Sequence, residues 1–553
     1  MKQILIFLII LLNYSSCTTE ELTVETETEV LSRIAQSLKV FPENYGAVGD
    51  GITLDGDAFI NAIADVPEGG RLVLKKGKNY VIDKEILLKS NMTIAGNGAE
   101  ITVDPDNWAK VNSGFYAIFA TVHVYDKPYA APSFNMGDGI TKFRNISIQN
   151  VTFNLNRDAT KQFVKDNIIH FSFNAVRFTD TENSRVTNCR FLDLQNENTF
   201  TIMPVVAFER SINCKFTYNT SNNCTPFNNS WGVGTIVNKN KIDNTPSTAI
   251  EMYVGNGHRI TGNTIGTQWF DASAIGVSSD YSYVGGNTLT DNRIIGITLG
   301  HAESPSYPNE NFGSDYTVCK NNYVTGGKVG ILLQNGIGVK ILRNTIEDLD
   351  KESVYTRDNA GIMVGVDLDP NNYKDLKIAN NKISNVTAGI VVRNNLNCSI
   401  YKNTISNVFR GIYGETSINR SPNGVMRVNS NIITDSAEPL FFSGAKSIVT
   451  NNTVDRASSY TYLYYGEIIF RNNTYNESLK EIVLYETLGV TMKDNSFTNT
   501  IPLQWVTRLH APEMSVDKLI IENNVINSPI FMRVNKLLEY PSVTYWDGLG
   551  NIL

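Results

Sequence analysis

The hydrophobic and polar positions of this chain fall into short alternating runs rather than helical stripes. One phrase recurs: an apolar residue, two others, Asn, one other, then an apolar residue. It appears as "IVNKNKI", "RITGNTI", "YVGGNTL", "KILRNTI", "KIANNKI", "SIYKNTI", "RVNSNII" and "IIENNVI". Period-two alternation with β-branched residues predicts strands. An Asn between two such runs predicts a tight bend, because Asn tolerates the left-handed backbone. The bend asparagines include Asn240, Asn263, Asn287, Asn344, Asn381, Asn403, Asn431, Asn452, Asn473, Asn495 and Asn524. Cys189 in "VTNCRF" and Cys214 in "SINCKF" are expected in the same slot.

Several of these asparagines lie roughly 21 to 24 residues apart, the length of a solenoid coil. Larger gaps then mark loops inserted into single coils. Stacked once per coil, the side chains can bond along the column and satisfy buried polar groups. The expected fold is all-β, a parallel β-helix. Roughly fifteen coils at about 4.8 Å each make a rod on the order of 70 Å long. A β-propeller needs blades about twice as long.

A second series stacks within the coils: "AIEMY", "AIGVS", "GITLG", "GILLQ", "GIMVG", "GIVVR" and "GIYGE". With Ile inward, the third and fifth positions point outward. The outward pairs are Glu251/Tyr253, Gly276/Ser278, Thr298/Gly300, Leu332/Gln334, Met363/Gly365, Val391/Arg393 and Tyr413/Glu415.

The opening of the ordered pattern is "GDGITLDGDAFINAIADVPEGGRLVLKKGKNYVI". It lacks the Gly-Lys-Ser/Thr of a phosphate loop, and Asn61 stands where an EF-hand needs Glu. Asp57 is placed to cap a short helix whose apolar face is Phe59, Ile60 and Ile63. The stretch resembles the N-terminal cap of the pectate-lyase-like superfamily of right-handed, single-stranded parallel β-helices. There a glycine-acid turn leads to a helix, then Gly-Gly, a strand, a Gly-x-Tyr turn and another strand. A cap covers the unpaired strand groups of the first coil. The resemblance implies a site on one long parallel sheet, walled by loops. It does not imply one reaction, since the superfamily holds lyases, glycoside hydrolases, epimerases, tailspikes and adhesins.

The formal charge of −7, with 19% charged residues, provides no basic field for nucleic acid, and no nucleotide motif is present. The N-terminus "MKQILIFLIILLNYSSC" has an apolar run too short to span a bilayer, so it fits a secretory signal. Ser15-Ser16-Cys17 resembles a bacterial lipobox, with Tyr14 where Leu is usual, and "TTEE" resembles the acidic tether of Bacteroidota surface lipoproteins. Cys17 is then the lipidated residue, and the protein is exported, anchored in outer-membrane lipid and surface-exposed. The remaining cysteines, Cys189, Cys214, Cys224, Cys319 and Cys398, show no zinc spacing and are expected as small buried side chains. The expected organisation is signal peptide 1–16, tether 17–38, cap and first coils 39–105, aromatic-rich insertion 106–140, β-helix 141–535 and tail 536–553. Within the insertion, Phe115, Ile118 and Val122 are expected in an early strand, with a sugar-stacking platform as the alternative.

The outward column suggests where a polysaccharide could be attacked. Gly276, Ser278 and Gly300 let a sugar ring approach the backbone, beside Glu251 and Tyr253. Asp280, His301 and Glu303 follow in the adjoining turns. Inverting hydrolysis needs two carboxyls about 6.5 to 9.5 Å apart, near the spacing of acids one or two coils apart. Glu251 and Asp280 form the first pair and Glu303 the reserve, with Tyr253 or His301 bonding the sugar or shuttling a proton. Gln334 and Arg393 extend the substrate face. This hydrolase needs no cofactor. A calcium-dependent uronate lyase is the alternative: Asp367 and Asp369 in "GVDLDPNNYKD" hold Ca²⁺ while Arg393 abstracts the proton. A non-catalytic glycan-binding or adhesive rod is the third. The polygalacturonase phrases Asn-Thr-Asp, Asp-Asp, Gly-His-Gly and Arg-Ile-Lys are absent, as is the alginate-epimerase "DPHE", so the resemblance assigns no named activity.

Overall fold

The computed structural model describes residues 38–103, 117–122, 142–154, 174–192, 204–268, 273–301, 312–350, 359–365, 373–393, 397–415, 424–443, 446–464, 466–480, 482–485, 489–499, 503–506, 518–527 and 532–535. Cys17, Glu303, Asp367 and Asp369 lie outside them, as does most of the aromatic-rich insertion. Within that insertion Ala117–Ala120 is a strand with Ile118 and Phe119 fully buried.

The chain winds as a parallel β-helix. A representative coil runs through Arg259–Thr261, Thr264–Ile265 and Ser273–Asp280, which belong to sheets B, C and A respectively. Each strand pairs in parallel with its counterpart one coil on. In sheet A the register is Ile250↔Ile275↔Ile297↔Ile331↔Ile362↔Ile390↔Ile412. All of these isoleucines are fully buried, so the pentapeptides align with Ile inward. Burying each such side chain stabilises the fold by about 1.5–3 kcal/mol before entropy is counted. A one-residue slip would turn a whole column to solvent, which fixes the register.

The asparagines stand in file at the bend between sheets B and C. From Asn263 onward each side-chain oxygen accepts both the backbone and the side-chain N–H of the Asn one coil earlier: Asn344 donates both to Asn381, and Asn381 donates both to Asn403. The remaining Nδ2 proton goes to a carbonyl behind, as from Asn381 to Ile341. The column starts earlier than the phrase suggested, at Asn219, and includes Asn322. Cys189 occupies its first slot, with its N–H donated to Asn219. Cys214 does not: Lys215 pairs with Arg185, which puts Cys214 one bend earlier, beside Ser184. Nor do the ladder asparagines carry the left-handed backbone. That falls on the residue before each, as in Asn321, Arg343, Asn380, Lys402 and Ser430. Among the described residues, Cys189, Cys214, Cys224, Cys319 and Cys398 are buried and form no disulfide.

The cap is helix α1, Gly56–Asp65, lying against the first coil. Its buried face is Phe59, Ile63, Ala58 and Ala62, whereas Ile60 is exposed. The N-cap position belongs to Asp55 rather than Asp57. The Asp55 carboxylate is fully buried and accepts N–H bonds from Val48, Gly49 and Val81, tying the turn to the first coil. Asp57 pairs instead with Lys84 at the surface.

The outward face of sheet A is not uniform. Leu332, Met363, Val391 and Tyr413, with Val329, Ala360 and Ala388, form a second buried apolar cluster outside the helix core. The sparse coils before it hold the candidate site.

Candidate functional site

In Ile250–Asn256 the inward demand of Ile250 and Met252 turns Glu251 and Tyr253 outward. Glu251 accepts a 3.0 Å hydrogen bond from Asn228 Nδ2, its register neighbour on the preceding coil. Asn228 is itself oriented by Ser230, whose hydroxyl donates to its side-chain oxygen at 2.9 Å. Burial pushes the Glu251 carboxyl above the usual carboxylate range, while the Asn228 bond and the nearby His301 pull it partly back. Asn228 can donate to either form of the acid, so burial decides the direction.

Beside Glu251 on the following coil is Gly276. Among the described residues, a Cβ placed there would meet Thr248 at 3.5 Å and Glu251 at 3.9 Å, both ordinary contacts. The glycine therefore leaves a space next to the carboxyl. Thr298 continues the column, hydrogen-bonded to the Ser273 hydroxyl. One wall is aromatic: Tyr253 lies between Trp231 (centroids 6.4 Å apart, rings nearly perpendicular) and Phe312 (5.3 Å). His301 is exposed and follows Gly300, whose left-handed backbone ends the strand; its N–H donates to the Phe312 carbonyl.

Asp280 does not join Glu251. The register sets Gly276 beside Glu251, Ser278 beside Tyr253 and Asp280 beside Asn256. Four residues of strand carry Asp280 about 13 Å beyond Gly276, too far for the proposed pair. Counting coils alone sets the two acids one rise apart and takes no account of the distance along the strand. At the corner Asp280 accepts the Asp315 N–H at 2.9 Å, and Asp315 accepts the Ile337 N–H at 2.8 Å, so the two acids brace successive coils. Burial, aided by the Asp315 charge, pushes Asp280 up to about 6.

Gln334 and Arg393 are on the same face but far from Glu251. Gln334 follows Leu333, about three coils from Tyr253, roughly 14 Å along the axis. Arg393, paired with Glu415 in register, is about five coils away, roughly 24 Å. Glu251, Tyr253 and His301 thus come together, while Asp280, Gln334 and Arg393 lie elsewhere. Asn228, Trp231 and Phe312 complete the group. Their signal was faint: "PFNNS" occupies the pentapeptide slot but lacks its small-residue–Ile opening.

Among the described residues no group of three His, Cys, Asp or Glu could hold a metal ion, and no helix is long and apolar enough to cross a membrane. His258 is wholly buried behind the site; its Nδ1 accepts the Thr235 N–H at 3.1 Å, and burial pushes its pKa down to about 3.

The family described as right handed beta helix region matches residues 364–526. No curated protein matches the chain in sequence. Among solved structures, the surface adhesin PfbA of Streptococcus pneumoniae is similar at 15% identity over 85% of this chain and 93% of its own, with a TM-score of 0.34. A mutant tailspike protein of E. coli bacteriophage HK620, in complex with a hexasaccharide, is similar at 13% identity, covering 85% and 81%, with a TM-score of 0.47. DFA-IIIase from Arthrobacter chlorophenolicus A6, in complex with GF2, is similar at 13% identity, covering 63% and 94%, with a TM-score of 0.38.

Proposed function

From a right-handed parallel β-helix of the pectate-lyase-like superfamily, we infer a polysaccharide-interacting protein that hydrolyses its glycan on the outer face of sheet A. The observation that carries this reading is Glu251: a carboxyl whose hold on its proton burial strengthens, beside the space over Gly276. A protonated acid in a sheltered cleft is what departure of a sugar oxygen needs. In the reaction Glu251 donates its proton to the glycosidic oxygen as the C–O bond breaks. Water adds to the anomeric carbon, and its proton passes to a base that returns it to Glu251. Asn228 orients the acid and Tyr253 supports the ring. His301, next to Glu251, adjusts its titration. Glu303, two residues beyond His301, is the acid the sequence offers as base. Export and lipidation at Cys17 would put this chemistry at the cell surface.

The E251Q variant tests the reading. Gln can still pair with Asn228 but carries no proton to give. Reducing-end release should fall about 10²–10⁴-fold, with melting temperature and glycan retention unchanged. Cleavage at the wild-type rate would discard the site. A product absorbing near 235 nm and suppressed by chelator would point to the uronate lyase instead.

A further inference from the structure

The corner after sheet A holds a second feature that hydrolysis at Glu251 does not use. Its left-handed position falls, coil by coil, on Asn213, Gly234, Gly257, Tyr281, Tyr316, Gly338 and Asp375. Glycine, Asn and Asp suit that backbone, but an L-residue as large as Tyr adopts it at a cost. The chain bears that cost on consecutive coils, within the repeated phrases "SDYS" at 279–282 and "SDYT" at 314–317. Large residues bear the same cost at other bends, as at Tyr218, Arg343 and Lys402, but here two aromatic rings bear it side by side.

The rings have little packing to justify it. Tyr281 is 60% and Tyr316 52% exposed. They stack on each other with centroids 5.1 Å apart and planes 18° from parallel. A Cβ at Gly338 would strike Tyr316 Cδ1 at 2.7 Å, so Tyr316 lies over that glycine. On the other side, a Cβ at Gly257 would meet nothing within 4 Å among the described residues. The Tyr281 face turned toward Gly257 therefore borders open space. Its edge carries the phenol, and Asp280 and Asp315, each next to a tyrosine in sequence, put two carboxylates at the corner, each accepting an N–H from the following coil.

We propose that the Tyr281–Tyr316 stack is a saccharide-binding platform for a neutral glycan, about 17 Å along the strand from the Gly276 gap. This rests on the polysaccharide reading above and adds the substrate class. A pyranose offers an apolar C–H face and a hydroxyl rim, matching an aromatic face with a phenol at its edge. A uronate chain would meet two carboxylates of its own sign.

Substitution to glycine separates binding from structure, because glycine relieves the left-handed strain. Affinity electrophoresis of the full chain would use gels holding laminarin, mannan or xylan, with polygalacturonate and alginate alongside. The wild type should be retarded by at least one neutral glycan and by neither uronate. The Y281G/Y316G double variant should lose at least about tenfold of that affinity, with an equal or higher melting temperature. Wild-type retardation of the variant, retardation by uronates alone, retardation by no glycan tested, or lost affinity together with a lower melting temperature would each overturn the platform. E251Q should be retarded normally; its cleaving like wild type would sink the Glu251 site and leave the platform standing.

Discussion

At the scale of single residues, adjacent asparagines in this chain do different work. Asn380 has φ 57 and supplies the left-handed bend, whereas Asn381 is buried and supplies the hydrogen bonds. Asn381 accepts two N–H groups from Asn344 and donates to Ile341 and Asn403. Replacing it by Leu strands those partners, and each buried orphan costs about 1–3 kcal/mol. Replacing Asn380 by Gly keeps the bend and spares the left-handed penalty, a change of a few tenths of a kcal/mol, roughly. Thermal unfolding should therefore show a drop of several degrees for Asn381→Leu and almost none for Asn380→Gly. Equal losses would mean that the bend, not the ladder, is what the asparagines protect.

At the scale of strands, the site depends on one missing side chain. Gly276 lies mid-strand with room for a Cβ, so Gly276→Val should leave stability within about 1 kcal/mol of wild type, since β-branched residues suit strands. The same isopropyl group would fill the space beside Glu251. Glycan cleavage should be lost while the circular dichroism and melting temperature persist; retained cleavage would place the sugar elsewhere. This face was largely legible in the sequence, because Ile–x–x–x alternation fixes both register and orientation. The pentapeptides therefore aligned as written, from Ile250 to Ile412. Distances along a strand were not legible in the same way. Asp280 shares the outward parity of Glu251 but is carried to the corner by the strand's own rise, and there its partner is Asp315. Asn228 was missed because its strand, Thr225–Val233, lacks the small-residue–Ile opening by which the others were recognised. The cap shows a similar limit. Its helix was evident from pattern, yet Asp55 and Asp57 could not be told apart, since only the fold brings Val81 to Asp55.

For the whole molecule, His258 should make stability fall on the acid side. The imidazole is fully buried and accepts the Thr235 N–H, so it is held neutral, with a folded pKa near 3 against an unfolded value of about 6.5. The unfolded chain takes up a proton between those values and the folded chain does not. Its contribution is therefore fully present above about pH 6.5 and is lost as pH falls toward 3. Asp280 acts in the opposite sense: with its folded pKa raised to about 6, stability gains as pH falls through the window below that. Glu251 and Asp55, whose carboxyls burial also raises, act in the same sense as Asp280, so the His258 part is isolated by comparing the wild type with a variant. The acid-side change in urea midpoint between pH 6.5 and 4 should run more steeply downward in the wild type than in a His258 variant. In a His258→Gln variant, whose amide can still accept from Thr235 but does not titrate, that slope should flatten or reverse. An unchanged slope in the variant would move the acid sensitivity to other groups and leave His258 as a neutral filler of the bend.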